Sequence, residues 1–81
     1  MESNHINDKI NEEELNIVDW IMQFETGEIS EKNFFKLFSH LIKTGKAWSL
    51  QGFYGRTAKA VIEQGYINQD GDINWDLVGG L

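Results

Sequence analysis

Between Ser30 and Gly45 the chain has little choice of conformation. Phe34, Leu37, Phe38, Leu41 and Ile42 recur at i, i+3, i+4, i+7 and i+8, the spacing that gathers apolar side chains on one face of an α-helix. Ser30 is a natural N-cap, Glu31 complements the positive end of the helix dipole, and Ile29 ahead of the cap can clasp Phe34. Lys43 lies near the negative end, and Gly45 supplies the stop. His40 falls on the polar side with Lys36 and Asn33 and reads as a surface residue. A helix so patterned must bury its apolar face, and the rest of an 81-residue chain has to provide the cover.

The residues before it predict a partner helix from about Glu12 to Phe24. Asn11 can cap it, with Glu14 three residues on as in a capping box, and Thr26-Gly27 ends it. Ile10, Ile17, Ile21 and Phe24 share one face, flanked by Val18 and Trp20, opposite Glu12, Asn16, Asp19 and Gln23. Leu15 and Met22 widen the apolar arc. Such an arc either touches two neighbouring elements or leaves a patch open to a partner; the core reading is preferred.

After Gly45, Lys46–Gly52 predicts a single helical turn, and a third helix follows from Tyr54 or Arg56 to Gln64, closed by Gly65. Ala58, Val61 and Ile62 form its inner stripe, and the small Ala58 and Ala60 allow a close helix neighbour. Gly52 and Gly55 bracket Phe53 and Tyr54, as where a backbone bends or is closely approached. Tyr66–Trp75 predicts a β-hairpin, whose three-residue Gln69-Asp70-Gly71 turn sets Ile67 opposite Ile73. The fold expected is therefore mainly α: a compact single domain over 1–81, with three helices, a short helical turn and a small C-terminal hairpin. Residues 1–9 are expected to be flexible, and 76–81 to dock or fray.

Composition narrows the function classes. With no cysteine, neither a disulfide nor a thiolate metal site can staple so small a domain, and three Trp, five Phe and two Tyr must build the core. No apolar run approaches the ~20 residues of a membrane span, and no signal-peptide pattern opens the chain, so a cytoplasmic protein without membrane partners is expected. The net charge of −6 is unevenly spread. Residues 1–31 hold nine acids against Lys9, residues 32–64 hold six bases against Glu63, and the tail adds Asp70, Asp72 and Asp76. Either acidic and basic elements pack together and cancel, or each face is kept for a partner of opposite sign.

Chemistry-bearing patterns are sparse. His5 stands alone, without a second ligand at metal spacing, and no metal or cofactor is expected. A calcium loop with Gly71 at its sixth position would need acids where Tyr66 and Leu77 stand. No Ser-His or Cys-His pair and no phosphate loop is present, and Glu12–Glu14 suit a helix dipole better than general acid–base work, so the expectation is not an enzyme. The one constellation that draws notice is Trp48, Gln51, Tyr54, Arg56 and Thr57. Arginine beside aromatics is typical of interface hot spots and can also stack on nucleic acid. The structural alternative makes Arg56 an anchor for the acidic first helix, Trp48 a core residue and Thr57 a cap.

The run from Phe38 to Ile67 resembles a family of very small, mostly uncharacterised bacteriophage proteins. Their shared core is L-I-x-x-G-x-A-W-x-L-Q-G-x-Y-G-R-T-A-x-x-L-I-x-x-G. It falls here on Leu41, Ile42, Gly45, Ala47, Trp48, Leu50, Gln51, Gly52, Tyr54, Gly55, Arg56, Thr57, Ala58, Ile62 and Gly65, with Val61 in place of a more usual Leu. The resemblance implies a phage origin, the host cytoplasm as location, and no particular reaction. The function expected is a binding protein that modulates, by inhibition, a host bacterial protein, one that itself handles nucleic acid being a reasonable target. The alternative is a winged-helix DNA- or RNA-binding regulator, with the third helix reading and the hairpin as wing. Against it, the reading helix carries only Arg56 and Lys59, and the wing carries Asp70 and Asp72 where phosphates would lie. Oligomeric state is left open.

Overall fold

The first helix, α1, runs Glu12–Thr26 and the second, α2, Glu31–Thr44. A single turn, α3, covers Lys46–Ser49; α4 spans Gly52–Glu63, and a last turn, α5, Trp75–Val78. In this computed structural model, the backbone of residues 12–80 and the side chains of 15–80 are described. The flexibility expected of residues 1–9, His5, Ile10, and Asn11 and the Glu14 side chain of the expected capping box lie outside those described residues.

The helix ends follow the local chemistry. Ser30 accepts a hydrogen bond from the Asn33 N–H at 3.2 Å, which caps α2. α1 closes with Gly27 at φ 81°, its N–H bonded to the Phe24 carbonyl and that of Glu28 to Gln23. α4 closes the same way, through Gly65 to Ile62 and Tyr66 to Val61. Both are Schellman closures, which need a left-handed residue where the two glycines stand.

α2 is the centre of the fold. Leu37, Phe38 and Leu41 are fully buried, with Ile42 and Phe35 beside them. α1 lays Ile17, Ile21 and Phe24 over one side of it, while Ala47, Tyr54, Ala58 and Val61 cover another. Phe24 is the aromatic hub where three helices meet. Its ring lies 5.3 Å from those of Phe38 and Phe53, 5.6 Å from Tyr54 and 5.9 Å from Phe34. Aromatic pairs at such separations add about 0.5–1.5 kcal/mol each beyond the area they bury.

α4 starts earlier than predicted, at Gly52, and takes in both Gly52 and Gly55. Burial of Tyr54 and Ala58 against α2 outweighs the ~1 kcal/mol by which glycine disfavours a helix interior. Ala60 is exposed, so only Ala58 serves close packing.

The predicted hairpin is not formed; among the described residues there is no sheet, only an isolated antiparallel bridge between Ile67 and Ile73. The register is the one expected, and Gly71 at φ 91° completes the three-residue turn. Strands cannot extend because helices claim both arms. Tyr66 is tied to the end of α4, and Asn74 caps α5 by accepting the Leu77 N–H at 3.1 Å. The wing that a winged-helix reading requires is therefore missing. The tail does not end at Trp75: α5 follows, and Val78 is buried in the core.

The bridge loop is seated on α2. Asn68 Oδ1 accepts from the N–H groups of Asp70 and Asp72, both at 2.9 Å, and shapes the turn. Ser39, the buried polar residue of α2, donates its hydroxyl to the Gly71 carbonyl at 2.5 Å. No described helix is long and apolar enough to cross a membrane.

Candidate protein-binding surface

The five residues singled out between Trp48 and Thr57 do not form one surface. Tyr54 points inward, 5% exposed, among Phe24, Phe38 and Phe53. Its hydroxyl donates to Glu25 Oε2 at 2.6 Å. Burial first, then this hydrogen bond and the Glu25 charge, push the hydroxyl up to about 12. The α1–α4 tie assigned to Arg56 is thus made by Tyr54, which is withdrawn from any external contact. Thr57 does not cap α4 either; it lies within the helix and donates back to the Phe53 carbonyl at 2.9 Å.

Trp48, Gln51 and Arg56 remain at the surface. Trp48 is 55% exposed, so it is not a core residue. Its ring lies beside Gly55 of α4, 3.7 Å from where a Cβ would stand, and edges a shallow groove with Lys59, Ile62 and Gln69. Gln51 precedes α4, and its carbonyl accepts the Tyr54 N–H at 2.9 Å. The Arg56 guanidinium folds back along the helix over Gly52, 3.1 Å from the place of a Cβ there.

The larger exposed apolar feature is on α1. Leu15, Val18 and Met22 are 53%, 58% and 62% exposed. Their spacing of three and four residues makes them a continuous strip along one side of the helix. The preferred reading of the wide arc as core is therefore overturned for these three; the open-patch reading describes them. One long side chain from each turn remains uncovered because α2 spans only the 17–21–24 side. Next to Val18 the strip runs into a groove of about 380 Å³ between α1 and the end of α2, lined by Ile17, Ile21, Leu41 and Leu50 with Thr44 and Lys46 at the rim.

Among the described residues the one ion pair is Lys43–Asp72, 3.8 Å apart and exposed on both sides. Among the described residues, neither Asp19 nor Glu25 of α1 meets a base; Asp19 accepts from Gln23, and Glu25 from Tyr54. The exposed cations Lys32, Lys43, Lys46, Arg56 and Lys59 are spread over α2, α3 and α4 and are not covered by α1. No group of three His, Asp or Glu among the described residues could hold a metal ion.

Residues 13–78, from α1 to α5, match the family described as a domain of unknown function, DUF7417. The chain belongs to this family. No curated protein and no solved structure matches it. The matched region contains both the Trp48–Arg56 surface and the α1 strip.

Proposed function

We propose that the chain is a bacteriophage-encoded binding protein that seizes a host bacterial protein and inhibits it. The observation that carries this reading is the outer side of α1. There a strip of large apolar side chains stands in solvent beside carboxylates that no described base neutralises. An isolated domain of this size gains nothing from leaving Leu15, Val18 and Met22 in water, whereas a partner would recover that apolar burial. Acidic surfaces are suited to the basic grooves of proteins that handle nucleic acid, which makes such a host protein the favoured target class. The phage-like run from Phe38 to Ile67 supports the setting. Trp48 and Arg56 add hot-spot residue types on a second exposed area.

The test is capture of partners from bacterial lysate by the tagged protein, with and without nuclease, read by mass spectrometry. A single stoichiometric host protein that survives nuclease is expected, and its activity should fall on addition of the purified chain. Recovery of nucleic acid alone, or of partners lost with nuclease, would overturn the reading.

A further inference from the structure

We infer that the α1 strip and the adjoining Leu50 groove receive a basic amphipathic helix of the partner; this rests on the binding function proposed above. Three observations fix the occupant. Its apolar face is set by the strip itself, because Leu15, Val18 and Met22 follow one another at the three- and four-residue steps that a second helix would match with its own apolar row. The groove beside Val18, lined by Ile21, Leu41 and Leu50, gives that row a place to insert.

The sign of the occupant follows from the borders of the strip. Asp19 lies four residues after Leu15 and three before Met22, and Glu25 lies three after Met22. On a helix these are surface neighbours, so carboxylates accompany the strip along its length. Neither is neutralised by a described base. A partner with Lys or Arg flanking its apolar row meets them, and one with acids is repelled. Lys46 also lines the groove, so the partner's cations lie over α1 and away from α3.

The backbone of the occupant is helical by elimination. Adding a strand requires an open sheet edge, and the described residues hold one isolated bridge and no sheet. A second copy of this chain is disfavoured by charge, since two acidic α1 helices would face each other across the same strip.

The probe is a helix-forming peptide with Leu at the a and d positions of its heptads and Lys elsewhere, paired with a counterpart in which every Lys is Glu. Binding of each to the full chain is followed by fluorescence anisotropy of the labelled peptide. The Leu/Lys peptide should bind saturably and the Leu/Glu peptide should not. Met22→Gln and Val18→Gln, at exposed positions where glutamine keeps the helix, should each weaken binding by roughly tenfold. Trp75→Ala, at an exposed apolar position of α5, should leave it unchanged, which separates docking on α1 from general attraction to an acidic protein. Equal binding of both peptides, indifference to Met22→Gln, or equal loss in Trp75→Ala would overturn the assignment. So would sedimentation of the free protein as a dimer that Met22→Gln dissociates, since the strip would then belong to a second copy. The two readings fail separately. A host protein captured equally by wild type and Met22→Gln sinks this inference alone, whereas capture of no host protein sinks the function on which it rests.

Discussion

Gly71→Ala would place a methyl group where three atoms of α2 already stand. A Cβ on residue 71 meets Lys43 Cγ, the Ser39 carbonyl oxygen at 2.9 Å and the Lys43 backbone nitrogen at 3.2 Å. The lysine stem can swing aside, since its amine is exposed, but the other two atoms belong to the backbone of the central helix and cannot. The loop must lift instead, and lifting breaks the bond from the buried Ser39 hydroxyl to the Gly71 carbonyl. Leaving buried polar groups unsatisfied costs about 1–3 kcal/mol. The left-handed backbone at φ 91° adds about 1–2 kcal/mol for any residue with a Cβ. The expected loss is therefore about 2–5 kcal/mol, a large part of the roughly 4–12 kcal/mol that stabilises a domain of this length. The control is Gly27→Ala, at φ 81° with nothing within 4 Å of the new methyl, which should lose only the backbone share. Urea unfolding followed by far-ultraviolet circular dichroism measures both, and thermal melts should fall by about 4–8 °C for each kcal/mol. Equal losses in the two variants would refute the close approach of the loop to α2.

Alkaline titration tests the Tyr54–Glu25 tie. The folded chain holds the Tyr54 proton up to about 12, against 10.0 for an ordinary tyrosine, so the stability it contributes is whole below pH 10 and is lost as pH rises through that window. The loss amounts to roughly 2–3 kcal/mol; it should appear in urea midpoints of the wild type and be missing from Tyr54→Phe, and parallel curves would exclude it. Ser30→Ala removes the cap on Asn33 and should lower stability by about 1 kcal/mol in the same assay, without changing the slope against urea.

Local chemistry was legible where it had no rival. Ser30, Gly45 and the Phe34–Ile42 repeat placed α2, and Gly27 and Gly65 placed two further helix ends, because caps and left-handed stops act within one turn of chain. The Ile67–Ile73 register was also readable from the turn residues, yet the strands were not to be had, since the end of α4 and the Asn74 cap compete for the same backbone groups. What depends on distant cover was hidden. Phe35 lies off the apolar stripe of α2 and is buried because Tyr66, 5.4 Å away between rings, folds over it. Ser39 reads as a polar position until Gly71 arrives above it. Tyr54 could have faced either way; a ring that fits the core and a hydroxyl within reach of Glu25 decide for the inside. The constellation around Trp48 was divided for this reason, while the open side of α1 was foreshadowed by an apolar arc too wide for one neighbour.

The size of the α1 strip limits what it can hold unaided. Complete burial of a Leu, Val or Met side chain contributes about 1.5–3 kcal/mol. Leu15, Val18 and Met22 retain a little over half of their surface, so covering all three recovers about 3–5 kcal/mol. Association itself costs an estimated 4–15 kcal/mol in lost freedom. Exposed ion pairs at Asp19 and Glu25 add only about 0.2–1 kcal/mol each and weaken with salt. A helix resting on the strip alone would therefore scarcely bind. The partner has to gain from the groove as well, and Leu50, which lines it, becomes part of the same interface. Leu50→Gln should then weaken the Leu/Lys peptide about as much as Met22→Gln, although Met22 lies on α1 and Leu50 just after α3. If Leu50→Gln leaves binding intact while Met22→Gln abolishes it, the occupant sits outside the groove and this energetic argument is wrong.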